Sequence, residues 1–153
     1  VTKGHVDVIK RTAKMFDKVI VVVMANYHKP ESAFTTEERV ELIERCTRNF
    51  DNVEVDMYNG LLADYAQQHG AVAVVKGLRA VSDFEYEFQQ ALTNKKLNPD
   101  LETVFVTASA DYMFLSSSMV KQVCGFGGDI TDFVPEEVKD DIVKRLKGKE
   151  ARS

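Results

Sequence analysis

The chain has 153 residues, which fits one domain at roughly 150 residues per domain. Its 44% hydrophobic and 29% charged residues exclude a disordered or fibrous chain, and its net charge of −4 gives no basic field to attract nucleic acid or an anionic membrane. The longest clean apolar run, Val19 to Ala25, is far shorter than the roughly 20 residues of a membrane span. Two distant cysteines, Cys46 and Cys124, indicate buried thiols in a reducing compartment rather than a disulfide framework. We therefore expect a soluble cytoplasmic protein.

Helical and strand patterns alternate along the chain. The predicted helices begin, in chain order, at Thr2, Thr35, Leu61, Asp83, Ser116 and Pro135. The predicted strands cover Val19–Val23, Val53–Met57, Val72–Val75 and Thr103–Thr107. The first of these is a continuous β-branched run, which is typical of a parallel strand covered on both faces. The alternation predicts an α/β protein with a doubly wound parallel sheet, whose ligands bind beyond the carboxyl ends of the strands.

The first candidate site is Thr2, Lys3, Gly4 and His5, at the start of the first helix. Unpaired backbone N–H groups and the helix dipole favour an anion there. Gly4 leaves room for a ligand, and His5 adds a donor that can be cationic near neutrality, which suits charge that builds on a phosphate. The alternative interpretation is structural: Thr2 caps the helix, and His5 is partly buried.

The second candidate site follows the predicted strand Val72–Val75, where Lys76 and Arg79 lie on one expected turn. Lys76 offers a point charge and Arg79 a planar fork that matches two phosphate oxygens. Acids of the next helix, Asp83 among them, are expected to be structural because carboxylates favour a helix N-terminus.

Other polar groups give weaker signals. The hydroxyls of Ser116, Ser117 and Ser118 start a helix and could hold phosphate oxygens, although capping alone would explain them. Lys29 follows the first strand in a loop, where a lysine is usually just solvated. The remaining histidines, His28 and His69, lack neighbours of metal-ligand type, so no protein metal site is expected.

Together these three motifs closely resemble the phosphopantetheine adenylyltransferases, bacterial enzymes of coenzyme A synthesis in the nucleotidyltransferase superfamily. The motifs stand in the family's order, the stretch Phe34 to Arg39 fits as well, and the resemblance spans nearly the whole chain. It implies a Rossmann-like nucleotidyltransferase fold.

The resemblance also implies an activity. The adenylyl group of ATP is transferred to 4′-phosphopantetheine, giving dephospho-coenzyme A and pyrophosphate, with Mg²⁺ accompanying the nucleotide and no covalent enzyme intermediate. The family implies a homohexamer that coenzyme A inhibits. By the same resemblance His5 and Lys76 are catalytic, and the ATP-binding residues are Thr2, Gly4, His5, Gly77, Arg79, Glu87, Ser116, Ser117 and Ser118. Lys29, Leu62 and Lys76 would bind 4′-phosphopantetheine.

Two departures from the family qualify this expectation. The family usually has Arg where this chain has Lys76, which keeps the charge but loses the bidentate fork. The family also has a central first strand and a Gly, Ser or Thr, Phe, Asp, Pro turn before the position of Thr2, whereas this sequence starts at Val1. Because losing that strand would leave backbone groups unpaired, we expect the natural polypeptide to contain a short segment before Val1.

Two other functions remain open from the sequence. A related nucleotidyltransferase could act on another phosphate, and a panel of substrates would separate the two reactions. A non-catalytic sensor of nucleotide or coenzyme A could use the same phosphate-binding motifs, and it would show binding without turnover.

Overall fold

A computed structural model describes residues 1–25 and 32–150, and it contains every helix and strand expected from the sequence. The helices are α1 (Lys3–Ala13), α2 (Thr36–Thr47), α3 (Leu62–Gln68), α4 (Val81–Leu97), α5 (Ser117–Gly125) and α6 (Glu136–Glu150). The strands are β1 (Val19–Met24), β2 (Val53–Tyr58), β3 (Ala73–Leu78) and β4 (Glu102–Thr107). A short 3₁₀ turn, Ala110–Tyr112, was not expected from the sequence.

The four described strands form two parallel pairs. β1 pairs with β2 from Val19 opposite Val53 to Met24 opposite Tyr58, and β3 pairs with β4. The architecture is α/β with parallel strands, as expected, but within the described residues the pairs are separate sheets rather than one continuous sheet. Helix α1 packs against both β1 and β3, so it joins the two sheets.

The main core lies between α2, α5 and α6. Its buried side chains are Leu42, Cys46, Leu115, Val120, Cys124, Ile130, Val134, Val138 and Ile142. Both cysteines are buried and form no disulfide, as the sequence indicated. Burial raises the pKa of the Cys46 thiol to about 11, which keeps it protonated and unreactive at neutral pH.

The structure corrects the expected turn after Val75. Strand β3 continues through Lys76, Gly77 and Leu78, because these residues keep parallel pairing with Phe105, Val106 and Thr107 of β4. Lys76 and Arg79 therefore do not share a turn: Lys76 lies within the strand and Arg79 follows its end.

The aromatic residues of α4 lie largely outside the core in the chain as described. Phe84 is 42% exposed, Phe88 45% and Tyr86 63%, and the helix has no buried residue. The two-stranded β3–β4 sheet on which α4 packs is about as wide as one helix. It therefore covers only the side chains of α4 that point directly at the sheet.

None of the helices in the described ranges has both the length and the apolar composition needed to cross a bilayer.

Candidate functional site

Thr2 and His5 form a reciprocal cap at the start of α1. The Thr2 hydroxyl accepts the His5 backbone N–H at 3.4 Å, and the Thr2 backbone N–H donates to His5 Nδ1 at 3.1 Å. The hydroxyl also lies 2.9 Å from Nδ1. Because Nδ1 accepts an N–H, the neutral ring carries its proton on Nε2. His5 is thus fixed in orientation and keeps one donor for a ligand.

The pKa of His5 is lowered to about 4. Burial of the ring comes first among the causes, followed by nearby positive groups that include Arg79 and Arg39. His5 as a whole residue is exposed, however, so solvent softens the desolvation, and the downward direction of the pKa shift is firmer than its size. At neutral pH, His5 is an uncharged donor.

Arg79 is held in place by two neighbouring segments. Its Nε and NH2 groups donate to the Asp83 carboxylate at 3.0 and 3.1 Å, and NH1 donates to the Leu115 carbonyl at 2.7 Å. The Asp83 carboxylate also accepts the Arg79 backbone N–H, and these bonds, led by the guanidinium, lower the pKa of Asp83. Arg79 therefore ties the end of β3 to the start of α4 and to the residue before Ser116.

Lys76 faces an acid of α4. Its ammonium lies 3.3 Å from Glu87 Oε2, and both side chains are partly buried. This oxygen is buried and accepts no hydrogen bond from the described residues, so the contact is an ion pair without hydrogen-bond alignment. The carboxylate already compensates most of the Lys76 charge.

Ser116 has the capping role that the sequence left open. Its hydroxyl accepts the Met119 backbone N–H at 3.0 Å at the start of α5. Ser117 and Ser118, in the first turn, are exposed. The cap therefore needs Ser116 alone and leaves the other two hydroxyls turned toward solvent.

A cavity of about 830 Å³ opens between the residues just before α1, the start of α2, α5 and α6. Thr2, Ser117 and Ser118 line it, as do three cationic residues, Arg39, Lys121 and Arg145. The sequence argument did not single out these cations as site residues. The only signal was the position of Arg39 at the end of the stretch that fits the family.

The two predicted site glycines differ in their surroundings. A Cβ on Gly77 would lie 2.9 Å from Val8 Cγ2, so its absence allows α1 to approach β3 closely. A Cβ on Gly4 would lie 3.5 Å from the Tyr112 Cβ, which is ordinary contact. Gly77 sets the distance between α1 and β3, whereas Gly4 leaves space at the helix start.

Some predicted residues lie elsewhere. Leu62 is the first residue of α3, after β2. Among the described residues that line the cavity, only Thr2, Ser117 and Ser118 were predicted; the predicted residues that do not line it are Gly4, His5, Leu62, Lys76, Gly77, Arg79, Glu87 and Ser116. Lys29 and His28 are outside the described residues. His69 stacks on the Tyr65 ring with centroids 3.9 Å apart, which is a packing role.

Comparison with known proteins places this geometry in a family. The model of the cytidylyltransferase-like family matches residues 1–123, a range that contains all three motifs. A phosphopantetheine adenylyltransferase from Clostridium botulinum (strain Alaska E43 / Type E3) is 54% identical over 96% of this chain and 92% of its own length. Those from Caldanaerobacter subterraneus and Alkaliphilus metalliredigens are 51% and 52% identical over 96% and 95% of this chain, and over 91% and 92% of their own.

The chain belongs to the phosphopantetheine adenylyltransferase family. In this member, α1 presents His5, the end of β3 presents Arg79, and Leu115 connects Arg79 to the serines of α5. Within residues 1–25 and 32–150, no three acid, histidine or cysteine side chains gather as a metal site would require. The arrangement supplies hydrogen-bond donors and positive charge, which is the chemistry of phosphate binding.

Proposed function

We propose that this protein transfers the adenylyl group of ATP to 4′-phosphopantetheine, releasing dephospho-coenzyme A and pyrophosphate. The observation that carries the proposal is that the segments bearing His5 and Arg79 pack together: Val8 of α1 lies against Gly77 of β3, and Arg79 follows the end of that strand. The two groups come from separate family motifs, one at the start of α1 and one after β3. Together they provide a neutral donor and a cation for one phosphate chain.

The reaction needs positioning and charge neutralisation more than a nucleophilic side chain. A phosphate oxygen of 4′-phosphopantetheine attacks the α-phosphorus of ATP. A new P–O bond forms there, and the bond to the bridging oxygen breaks with its electrons leaving on pyrophosphate. His5 donates through Nε2 to oxygens that gain charge, and Arg79 and Lys76 hold the phosphates.

The roles of the other family positions are part of the same proposal. Gly4, Thr2, Glu87 and the three serines surround ATP, and Gly77 keeps α1 close to β3. Lys29 and Leu62 contact 4′-phosphopantetheine, and Lys76 reaches both substrates.

Mg²⁺ is proposed as a companion of ATP rather than a resident of the protein. The acids beside the predicted phosphate groups are engaged with cations, Asp83 with Arg79 and Glu87 with Lys76. This donor set suits an ion held mainly by phosphate oxygens and water, as is common for Mg²⁺. The ion would neutralise charge on the phosphates.

Pyrophosphate release tests the proposal directly. With ATP and Mg²⁺ supplied, pyrophosphate should form only when 4′-phosphopantetheine is present, and dephospho-coenzyme A should appear in equal amount. Replacing ATP by CTP, or the acceptor by another phosphate ester, separates this reaction from others of the superfamily. Tight binding of both substrates without turnover would support a sensor instead.

We also propose a homohexamer in the cytoplasm, inhibited by coenzyme A. The exposed apolar face of α4 supports self-association: Val81 is 77% exposed and Leu92 56%, beside the two half-exposed phenylalanines. Light scattering after gel filtration measures the assembly, and added coenzyme A should compete with ATP-dependent turnover. The two buried thiols support a reducing compartment.

A further inference from the structure

The cavity beside Thr2 is lined by a cation that the proposed function has not used. Arg39 lies in the first half of α2, is partly buried, and lines the cavity with Thr2, Ser117 and Ser118. It is not among the residues that the family resemblance assigned to ATP or to 4′-phosphopantetheine.

Arg39 has no acidic partner in the part of the chain that the structure describes. The neighbouring acid on its own helix turn, Glu38, is fully engaged: it accepts the Thr35 backbone N–H at 2.8 Å and two bonds from the Arg145 guanidinium. Arg145 also donates to the Ala33 carbonyl at 2.9 Å and lies over the Phe34 ring. These contacts fix the start of α2 and leave the Arg39 charge without an ion pair.

The two described cations of the family motifs are already compensated. Arg79 is paired with Asp83, and Lys76 with Glu87. ATP brings a triphosphate with about four negative charges, so a cation without a carboxylate partner gains the most from its arrival. Among the described residues Arg39 is such a cation, and it lines the same cavity as Thr2, the cap of α1.

We propose that Arg39 binds the triphosphate of ATP from the α2 side of the cavity, as a further substrate-binding residue of the proposed reaction. Its guanidinium takes phosphate oxygens as a planar fork, while Ser117 and Ser118 donate from the wall that α5 forms. This inference rests on the proposed adenylyl transfer.

Binding of ATP and of adenosine to the full chain, compared by calorimetry, tests the assignment. Arg39→Gln should weaken ATP binding about 10-fold or more and leave adenosine binding unchanged, because adenosine lacks phosphates. Arg39→Lys keeps the charge without the fork and should fall between wild type and Arg39→Gln. The matched control is Arg48→Gln, which removes an exposed arginine at the other end of α2 and should change neither affinity.

Each other outcome overturns the assignment. Unchanged ATP affinity in Arg39→Gln removes Arg39 from the site, equal loss for ATP and adenosine indicates a structural role, and loss confined to 4′-phosphopantetheine places Arg39 on the other substrate. Wild-type pyrophosphate release is measured first. A wild-type protein that binds ATP without turnover refutes the proposed reaction, whereas an active wild type with an unaffected Arg39→Gln variant refutes only this inference.

Discussion

His5 accepts the backbone N–H of Thr2 through Nδ1, at 3.1 Å, and thereby occupies the place that Glu or Gln usually fills in a capping box. The cap expected in the structural interpretation of Thr2–His5 is therefore confirmed, although His5 is exposed rather than partly buried. It is compatible with the proposed catalytic role, because the cap uses Nδ1 and leaves the proton on Nε2. One side chain can stabilise the start of α1 and point a fixed donor at the substrates.

Two substitutions of His5 separate the cap from the donor. His5→Ala removes both and should cost about 0.5–2 kcal/mol of stability, the usual loss for a missing cap, together with most of the turnover. Gln at this position can still accept the Thr2 N–H, so His5→Gln should unfold near the wild-type denaturant concentration. Its kcat should fall about 10²-fold or more while the Kd for ATP changes little, because the donor acts mainly on charge formed in the transition state. Near wild-type turnover in His5→Gln would remove the donor role.

The lowered pKa of His5 makes folding stability depend on pH in a defined window. The unfolded ring binds a proton near pH 6.5, whereas the folded ring does so only near pH 4. The contribution of His5 is thus complete above pH 6.5 and is lost as pH falls toward 4. Solvent at the ring makes the loss smaller than the full shift implies.

Urea unfolding at pH 7 and at pH 4.5, in buffers without phosphate, measures this effect. The wild-type midpoint should fall more than that of His5→Gln, which keeps a cap but cannot titrate. The carboxylates with lowered pKa values, such as Asp83 and Asp129, contribute below this window and act equally in both proteins. Parallel midpoints for the two proteins would contradict the lowered pKa of His5.

The two glycines of the candidate site should respond differently to Ala. Gly77→Ala places a Cβ 2.9 Å from Val8 Cγ2, and the short, stiff valine cannot swing aside, so α1 must shift at a cost of about 1–3 kcal/mol. Gly4→Ala meets only ordinary contacts and adds a better helix former, so stability should stay equal or rise by up to about 1 kcal/mol. Adding Val8→Ala to Gly77→Ala should recover part of the loss in urea unfolding. A fully stable Gly77→Ala would show that Gly77 does not set this approach.

Local sequence patterns predicted the helices and strands. They did not predict the strand pairing or the side-chain exposure that depend on distant segments. The capping boxes, the β-branched run of β1 and the turn glycines Gly70 and Gly127, both with positive φ, each act within a few residues. The length of β3 depends on pairing with β4, which lies beyond α4, so Lys76 was placed on a turn. Exposure of Phe88 depends on the width of the sheet beneath it, which no local pattern contains.

The sequence predicted those parts of the candidate site in which polar or charged residues stand at the start of a helix. Arg39 was missed as a site residue because an arginine inside a predicted helix carries no local sign of which distant segments surround it. Its place in the cavity depends on residues of α5 and α6, which lie far along the chain.

Asp83 should act on ATP through Arg79. It is 25% exposed in its side chain and holds Nε and NH2 of Arg79, so Asp83→Asn keeps the shape but weakens this orientation. For a half-exposed pair we expect about 1 kcal/mol, or roughly a fivefold weaker Kd for ATP, whereas Arg79→Ala should weaken it further. Calorimetric titration of ATP measures both. Equal ATP affinity in Asp83→Asn and wild type would mean that Leu115 alone positions the guanidinium.

Lys76 is the position at which this chain departs from its family, and the Glu87 contact gives the departure a physical consequence. The Lys76 ammonium, 3.3 Å from Glu87 Oε2, is a point charge that pairs with this one carboxylate. A guanidinium could face the same carboxylate and still present N–H groups to a phosphate. Lys76→Arg should therefore raise kcat/KM for 4′-phosphopantetheine several-fold, and Lys76→Gln should lower it at least 10-fold by removing the charge. Lys96→Gln, an exposed lysine of α4, is the control and should leave the rate unchanged. If Lys76→Arg lowers the rate instead, the pocket in this chain is shaped for the ammonium, and Glu87 positions Lys76 rather than competing for it.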